Sequence, residues 1–405
     1  MFYQLHHWHK QAASPLRIGA ELTHQLLTHP GNPLSYTNAG RTAAAFAEMF
    51  ERFTRHFAKP AFGFGHTQVD GRLVAVTEEL LERRSFCQLR HFKRDTTRQD
   101  PKVLLVAPMS GHFATLLRGT VQALLPAHDV YITDWRDARQ VPLAEGNFDL
   151  DDYMDYLIDY IHFLGPDCHV IAVCQPSVPV MGAAAQMAAD NDPLQPRSIT
   201  LMGGPIDTRI NPTTPNDYAM KRSLTWFERS VISTVPIGFP GFLRKVYPGF
   251  VQLAGFVSMN FDRHVGAHMK MFQHLIKGDD EPADAHRRFY DEYLAVMDLT
   301  AEFYLQTIQV VFQEHQLPRG QWISRGRPIE PSAITRPALL TVEGELDDIS
   351  GIGQTRAAHD LTPGIAAARH LHYEQQGVGH YGIFNGRKWR EQIMPRVHDF
   401  IRANA

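Results

Sequence analysis

The chain has 405 residues, of which 44% are apolar and 20% are charged. This balance excludes a globally disordered chain, because the apolar content is high and the net charge is low. The 40 Lys and Arg residues against 43 Asp and Glu residues give a formal net charge of −3. Nucleic-acid binding is therefore disfavoured, since there is no excess of cations to neutralise a phosphate backbone.

The predicted cellular compartment is the cytoplasm. Three cysteines cannot form a disulfide framework, since one always remains unpaired. The first residues lack the apolar stretch of a secretory signal, and no apolar run is long enough to predict a transmembrane segment.

The N-terminal histidines are a weak candidate for a metal site. His6, His7 and His9 lack an accompanying cysteine or carboxylate cluster, so we expect no metal site there.

The apolar pattern divides the chain into four predicted regions. Helical spacing over residues 1–65 predicts an N-terminal helical extension, followed by two early strands near residues 73–76 and 86–92. From residue 102 onward, short apolar runs alternate with helical segments. The predicted strands of this part are residues 103–106, 130–133, 169–174, 198–202, 338–342 and 370–373. This alternation predicts an α/β fold with a mostly parallel, doubly wound sheet of about eight strands.

An aromatic and Pro-rich insertion interrupts this alternation between residues 206 and 335. It divides the predicted sheet region into a first part, residues 66–205, and a second part, residues 336–405. An insertion between two parallel strands lies above the carboxyl edge of the sheet, where ligands bind in such folds. We therefore predict a helical, aromatic-rich lid, although a separate small core would also account for most of its aromatic residues.

The predicted strand 169–174 ends in a cysteine and precedes a helix of small residues. A nucleophile at a tight turn between a strand and a helix is typical of a nucleophile elbow, whose usual pattern is Gly-x-Ser-x-Gly. Here Ala172 and Pro176 occupy the glycine positions around Cys174. Cys174 is our candidate nucleophile, and the alternative interpretation is an inert buried thiol.

Two later loops contain a candidate acid and a candidate base. Asp347 follows the predicted strand 338–342, and His380 follows the last predicted strand. Nucleophile, acid and histidine occur in the chain order of the α/β-hydrolases. We predict that His380 takes the proton of Cys174 while Asp347 orients the imidazole. Asp348 is the rival acid, but Asp347 has the more usual offset after Gly344.

Backbone N–H groups must stabilise the oxyanion that such a nucleophile creates. We predict one donor at Gln175, directly after the nucleophile, and the other at Met109, in the loop after the predicted strand 103–106. Ser110 is the second choice as a donor and the rival nucleophile, although it belongs to no recognised motif. The pair Gly203-Gly204 lacks the spacing of a phosphate-binding loop.

Several segments closely resemble the intracellular polyhydroxyalkanoate (polyhydroxybutyrate) depolymerases: residues 131–135, 173–176, 201–207, 289–293, 302–306 and 377–382. The likeness extends over essentially the whole chain. It implies an α/β-hydrolase that cleaves the ester bonds of the cell's own storage granules. In that family a cysteine replaces the usual serine, so the resemblance implies Cys174 as nucleophile, Asp347 as acid and His380 as base.

The implied substrate is a water-insoluble aliphatic polyester, so recognition must depend on apolar contact. We expect Ser110, Trp135, Trp226 and Tyr381 to contact this substrate, and we expect neither a cofactor nor a metal. The implied partner is the granule surface. The thioester intermediate could pass its acyl group to water or to coenzyme A, and the sequence does not decide between them. It does not decide the oligomeric state either, and allows a homodimer.

Two other functions remain open from the sequence. A polymer synthase would use the same thioester chemistry in the building direction, but this elbow lacks the glycine-flanked cysteine of the synthases. A non-catalytic granule-binding protein would need no nucleophile, acid and base. Both are therefore less favoured than a depolymerase.

Overall fold

The fold comes from a computed structural model, which describes residues 3, 8, 12–259 and 261–405. His6, His7 and His9 lie outside the described residues. No helix in the described ranges is long and apolar enough to cross a lipid bilayer.

The strands fall into one large sheet and two small ones. The large sheet has the strand order β1-β2-β3-β5-β4-β6-β7-β13-β14, with antiparallel pairing from β1 to β5 and parallel pairing in the rest. In chain order the strands are His66–Val69 (β1), Arg72–Arg83 (β2), Cys87–Arg94 (β3), Lys102–Val106 (β4), Asp129–Trp135 (β5), Cys168–Val173 (β6), Ser198–Met202 (β7), Ser233–Thr234 (β8), Lys245–Tyr247 (β9), Leu299–Thr300 (β10), Ile323–Ser324 (β11), Arg327–Pro328 (β12), Ala338–Gly344 (β13) and His370–Gln375 (β14).

Of the helices in the described ranges, two precede the first strand, six lie in the insertion between β7 and β13, and the others alternate with or follow the strands of the large sheet. The helices are Ser14–Thr28 (α1), Asn38–Thr54 (α2), Arg118–Leu124 (α3), Leu150–Leu164 (α4), Ser177–Ala189 (α5), Thr214–Met220 (α6), Leu224–Ser230 (α7), Gly249–Met259 (α8), Phe261–Lys277 (α9), Asp280–Tyr293 (α10), Ala301–Thr307 (α11), Ala358–Leu361 (α12), Gly386–Lys388 (α13) and Met394–Ala403 (α14).

The predicted mostly parallel sheet with flanking helices is confirmed. The large sheet has nine strands rather than about eight. The additional strand is β1, which pairs with β2 through a two-residue turn at Asp70 and Gly71. The apolar pattern misses this strand because its residues, His-Thr-Gln-Val, are mostly polar and lie at the edge of the sheet.

Strands β6 and β7 form the buried centre of the large sheet. Every residue of both strands is buried, as expected for parallel strands covered on both faces. Helix α5 packs against β6 and against α4, where a Cβ on Gly182 would lie 2.7 Å from the Met154 Sδ. The carboxyl ends of β6, β13 and β14 lie at the same edge, so the loops that follow them meet there.

The insertion between β7 and β13 contains helices α6 to α11 and the small sheets β8–β9–β10 and β11–β12. Ion pairs join it to the N-terminal helices. Glu48 on α2 pairs with Arg287 on α10 at 2.6 Å, and Arg52 on α2 pairs with Asp291 at 2.7 Å. Helix α2 is thereby held against the insertion.

Candidate active site

A sharp turn after β6 places Cys174 above the sheet. Its φ of 68° lies in the left-handed region, which is unfavourable for a residue with a side chain. The turn is held on both sides: the Cys174 N–H donates to the Met202 carbonyl at 2.7 Å, and the Cys174 carbonyl accepts from the Ser177 N–H at 3.1 Å. Such local strain occurs where surrounding structure enforces it, and it is typical of a nucleophile elbow.

Two glycines after β7 provide the space that this turn needs. A Cβ on Gly204 would lie 2.0 Å from the Ser177 Oγ and 3.0 Å from the Cys174 carbonyl oxygen. Gly203 has a φ of 59°, and a Cβ there would lie 3.3 Å from the Asp347 Oδ2. The turn at Cys174 therefore needs no flanking glycines, because Gly203 and Gly204 after the neighbouring strand β7 have no side chains to collide with it. Sequence reasoning missed this role, although the glycine pair follows the strand beside the nucleophile strand.

The carboxylate that meets His380 is that of Asp347. Its Oδ2 lies 2.8 Å from the His380 Nδ1, and its side chain is completely buried. Its other oxygen, Oδ1, accepts the backbone N–H groups of Ile349 and Ser350, each at 2.9 Å. The neighbouring Asp348 is exposed. This arrangement fixes the carboxylate and, through it, one tautomer of the imidazole.

His380 is buried and interacts with both other members of the predicted triad. Burial lowers its pKa, while the carboxylate of Asp347 and the sulfur of Cys174 raise it, so that the pKa lies well above the ordinary histidine value. The influence of Cys174 on this pKa shows that its sulfur lies near the imidazole. Since Nδ1 faces Asp347, Nε2 is the nitrogen available to the sulfur. A raised pKa makes the imidazole a stronger base toward the thiol.

Cys174 and His380 line a cavity of about 430 Å³. The sheet side contributes Met109, Ser110, Cys174, Gln175 and His380, and the insertion closes the opposite side. The aromatic side chains from the insertion are Tyr218, Phe227, Tyr247, Phe256, Phe303, Tyr304 and Phe312. None of the described lining residues is Lys, Arg, Asp or Glu. The site therefore places a thiol and an imidazole, backed by a buried carboxylate, at a mainly apolar cavity.

A family model described as PHB de-polymerase C-terminus matches residues 203–405, half of the chain. The chain belongs to this PHB depolymerase family. Membership makes it a hydrolase, and the strand order with an elbow after β6 is that of the α/β-hydrolase fold. No curated protein matches the chain.

Two solved structures are similar to this chain at low sequence identity. The monoacylglycerol lipase of Paleococcus ferrophilus is 14% identical, with a TM-score of 0.45, over 76% of this chain and 96% of the lipase. The 2-hydroxy-6-oxo-6-phenylhexa-2,4-dienoate hydrolase of a Rhodococcus species is 13% identical, with a TM-score of 0.45, over 81% of this chain and 99% of that hydrolase.

The predicted oxyanion donors of this depolymerase family member both lie at the cavity. Met109 and Gln175 line it, and the backbone hydrogen bonds within the described ranges include none from either N–H group. Ser110 also lines the cavity and is half-buried. The Nδ1 of His380 nevertheless contacts Asp347, and Cys174, not Ser110, is among the groups that raise the pKa of the imidazole. The geometry thus favours Cys174 over Ser110 as the residue whose proton the imidazole of His380 can accept.

The predicted substrate contacts divide into two groups. Ser110 and Tyr381 line the cavity, whereas Trp135 and Trp226 do not. Trp135 is 1% exposed, and its Nε1 donates to the Ala107 carbonyl at 2.8 Å, so it supports the sheet instead. Trp226 packs edge-on against Phe227 and so stands behind the cavity wall. The aromatic content of the insertion indicated that this segment lines a binding cavity, but the sequence did not show which of its aromatic rings line that cavity.

Proposed function

We propose that this chain is an intracellular polyhydroxyalkanoate depolymerase that hydrolyses ester bonds of poly(3-hydroxybutyrate) through Cys174, His380 and Asp347. The observation that carries the proposal is the elbow thiol beside a buried imidazole–carboxylate pair, in a member of the PHB depolymerase family. A thiol is a weak nucleophile while protonated, and an adjacent base activates it.

The first half of the proposed reaction forms a thioester. His380 takes the proton from the Cys174 sulfur, and the thiolate attacks the ester carbonyl carbon. The N–H groups of Met109 and Gln175 stabilise the resulting oxyanion, a contribution of about 3–4 kcal/mol for each donor in comparable sites. The carbon–oxygen bond then breaks, the protonated imidazole gives its proton to the leaving alkoxide, and a 3-hydroxyacyl thioester remains on Cys174.

The second half releases the acid. His380 takes a proton from water, the hydroxide oxygen attacks the thioester carbonyl, and the carbon–sulfur bond breaks. The sulfur recovers its proton from the imidazole, so the enzyme returns to its starting state. Asp347 keeps its carboxylate throughout and stabilises each imidazolium form.

The cavity supports an uncharged polyester as the substrate. Its repeat unit has ester groups separated by short carbon chains and no charge, so affinity must come from buried apolar area at about 25 cal/mol per Å². The aromatic wall from the insertion offers that area, and charged side chains are missing from the described lining. A small charged substrate would find no Lys, Arg, Asp or Glu among the described lining residues.

We further propose that the chain adheres to the cytoplasmic granule through a surface formed by α2 and α9. A groove of about 530 Å³ between these helices is lined mainly by apolar side chains, including Phe46, Phe53 and Phe261. Phe53 is 62% exposed and Phe261 is 60% exposed. Helix α8 connects this groove to the active site, since Val257 lines the groove while Phe256 lines the cavity. Such exposed apolar area is typical of an interaction surface.

Adsorption to native granules tests this surface. We expect the double substitution Phe53→Ser and Phe261→Ser to lower the fraction of protein that sediments with granules. Phe163→Ser is the matched control, because Phe163 is 53% exposed but lies on α4, away from the groove. Equal adsorption of the two variants would contradict the proposed surface.

The nucleophile is tested by intact-protein mass spectrometry after brief exposure to a 3-hydroxybutyrate oligomer. We expect an acyl adduct on the peptide that contains Cys174, and Cys174→Ala should lower hydrolysis about 10⁴-fold or more. Cys168→Ala is the control, since Cys168 is buried and remote from the cavity. Retained hydrolysis by Cys174→Ala would reject the assignment.

Two further measurements separate the other functions. Polymer and free coenzyme A formed from 3-hydroxybutyryl-CoA would identify a synthase, and 3-hydroxybutyryl-CoA formed from granules and coenzyme A would identify a thiolytic acceptor. Granule binding with no turnover in the wild type would identify a non-catalytic granule-binding protein. A depolymerase that uses water releases free 3-hydroxy acids.

A further inference from the structure

A short segment of the insertion, residues 296–298, holds the loop after β4, in which the proposed oxyanion donor lies. The Met297 N–H donates to the Gly111 carbonyl at 2.8 Å, and Val296 pairs with His112 in an antiparallel bridge. Gly111 has a φ of 93°, in the left-handed region that favours glycine. The insertion therefore fixes the backbone of this loop directly beyond the oxyanion donor.

The last residue of this segment, Asp298, is bonded on every side. Its side chain is buried; Oδ1 accepts the Gly249 N–H at 3.0 Å, at the start of α8, and Oδ2 accepts the Tyr3 hydroxyl at 2.5 Å. Its own N–H donates to the Asp137 Oδ1 at 3.1 Å, and its carbonyl accepts the Ala138 N–H at 3.0 Å. One carboxylate thus joins the N-terminal part of the chain, the helix α8 and the segment 296–298.

Tyr3 is the member of this cluster that lies farthest away along the chain. It is 4% exposed, and its ring packs edge-on against Phe250 at a centroid distance of 5.7 Å. Burial raises the pKa of Asp298, while Arg139 and the Tyr3 hydroxyl lower it. Arg139 is also paired with Asp137, its Nε lying 2.7 Å from the Asp137 Oδ2. Since a buried carboxylate that loses a donor is costly, removal of the Tyr3 hydroxyl should displace Asp298.

We propose, on the basis of the proposed function, that Tyr3 is a positioning residue for the reaction. Tyr3 is not among the described residues that line the cavity, so it acts through Asp298 and not on the substrate. Asp298 fixes the segment 296–298, and this segment fixes the loop whose Met109 N–H stabilises the oxyanion. Oxyanion donors must be held in place before the reaction, whereas apolar binding is non-directional. Loss of the hydroxyl therefore lowers kcat and leaves KM nearly unchanged.

The test compares Tyr3→Phe with Tyr131→Phe on a soluble 3-hydroxybutyrate oligomer. Tyr131 is a matched control, because it is 8% exposed, lies on β5 and donates to the Asp129 Oδ2 at 2.7 Å. We expect kcat to fall about tenfold in Tyr3→Phe, less than the roughly 10²- to 10³-fold loss for a missing oxyanion donor. Tyr131→Phe should keep the kcat of the wild type, although both variants lose a buried hydrogen bond and should melt at lower temperature.

Variants of Asp298 test the route of this effect. Asp298→Ala should lower kcat at least as far as Tyr3→Phe, and the double variant should lose little more, because both substitutions interrupt the same contact. Asp298→Asn should retain most of the activity, since its amide can accept from the Gly249 N–H and donate to the Tyr3 oxygen. Losses that multiply in the double variant, or equal kcat values for Asp298→Asn and Asp298→Ala, would contradict the proposed route.

The outcomes separate this inference from the proposed function. If the wild type hydrolyses the oligomer and Tyr3→Phe has the same kcat as Tyr131→Phe, the inference is overturned and the proposed function stands. A higher KM at unchanged kcat in Tyr3→Phe would also overturn it, since the residue would then act on substrate binding. A wild type that hydrolyses neither oligomer nor granules would reject both.

Discussion

The two walls of the active-site cavity are built in different ways. On the sheet side, hydrogen bonds of defined length hold the turn at Cys174 and the pair Asp347–His380, and nearly all of these groups are buried. On the insertion side, the wall consists of aromatic rings, such as Tyr304, which stacks on Tyr247 at a centroid distance of 3.8 Å. Helix α8, which forms part of that wall, is half-exposed along most of its length.

This contrast suits the two walls to different roles: the sheet side to catalysis and the insertion side to substrate binding. Hydrogen bonds are directional, so the sheet edge can hold reacting atoms within the small tolerance that catalysis requires. Apolar contact is non-directional, so the insertion can accept a flexible apolar chain, such as the proposed polyester, in many positions. Changes on the sheet side should therefore affect turnover and stability strongly, and changes in the insertion should act more weakly.

The largest effect should follow from loss of the acid on the sheet side. We expect Asp347→Asn to lower kcat by roughly 10³- to 10⁴-fold, because the amide no longer stabilises the imidazolium and favours the wrong tautomer. The measurement is steady-state hydrolysis of a soluble 3-hydroxybutyrate oligomer. Asp348→Asn is the matched control and should lose far less activity, since Asp348 is exposed. The reverse ranking would assign the acid to Asp348.

Substitution of one glycine in each region, Gly204 and Gly266, tests how tightly the sheet edge and the insertion are packed. Gly204→Ala should lower the free energy of unfolding by at least about 2–3 kcal/mol, because its Cβ would lie 2.0 Å from the Ser177 Oγ. Gly266→Ala, on α9 of the insertion, has no atom within 4 Å of the new Cβ, so a gain of up to about 1 kcal/mol is expected from helix propensity. Denaturant unfolding measures both, and equal losses would show that the two regions are packed alike.

The smallest effect concerns the pH dependence of stability. Because the pKa of His380 is raised in the fold, protonation of its imidazole stabilises the fold fully below the ordinary histidine pKa of about 6.5. This stabilisation is lost as the pH rises through the raised pKa. The stability difference between the wild type and Asp347→Asn should therefore be largest near pH 6 and decrease toward alkaline pH.

Melting temperatures of both proteins over a pH series measure this difference. Asp348→Asn again serves as control, and its difference from the wild type should change little over the same range. If the difference for Asp347→Asn instead grows as the pH rises, the carboxylate does not stabilise the imidazolium in the folded chain.

Local sequence pattern predicted the sheet and the residues at its edge. Continuous apolar runs identify strands buried on both faces, and the residue after each strand is then placed at the carboxyl edge. The pattern failed at β1, where a polar edge strand carries no apolar signal. The expected substrate contact at Trp135, given with the family resemblance, does not line the cavity: this ring is 1% exposed, and its Nε1 donates to the Ala107 carbonyl.

The amino-acid sequence by itself determined the order of the elements and the candidates Cys174, Asp347 and His380, because strand and helix periods are local properties. The tertiary structure showed that Asp347, which its offset after Gly344 already favoured over Asp348, contacts the imidazole. Only the tertiary structure decided that Gly204 makes room for the elbow and that the Gln175 amide has no partner among the described residues. These roles depend on contacts with segments that are distant in the sequence, and such contacts form only when the chain packs.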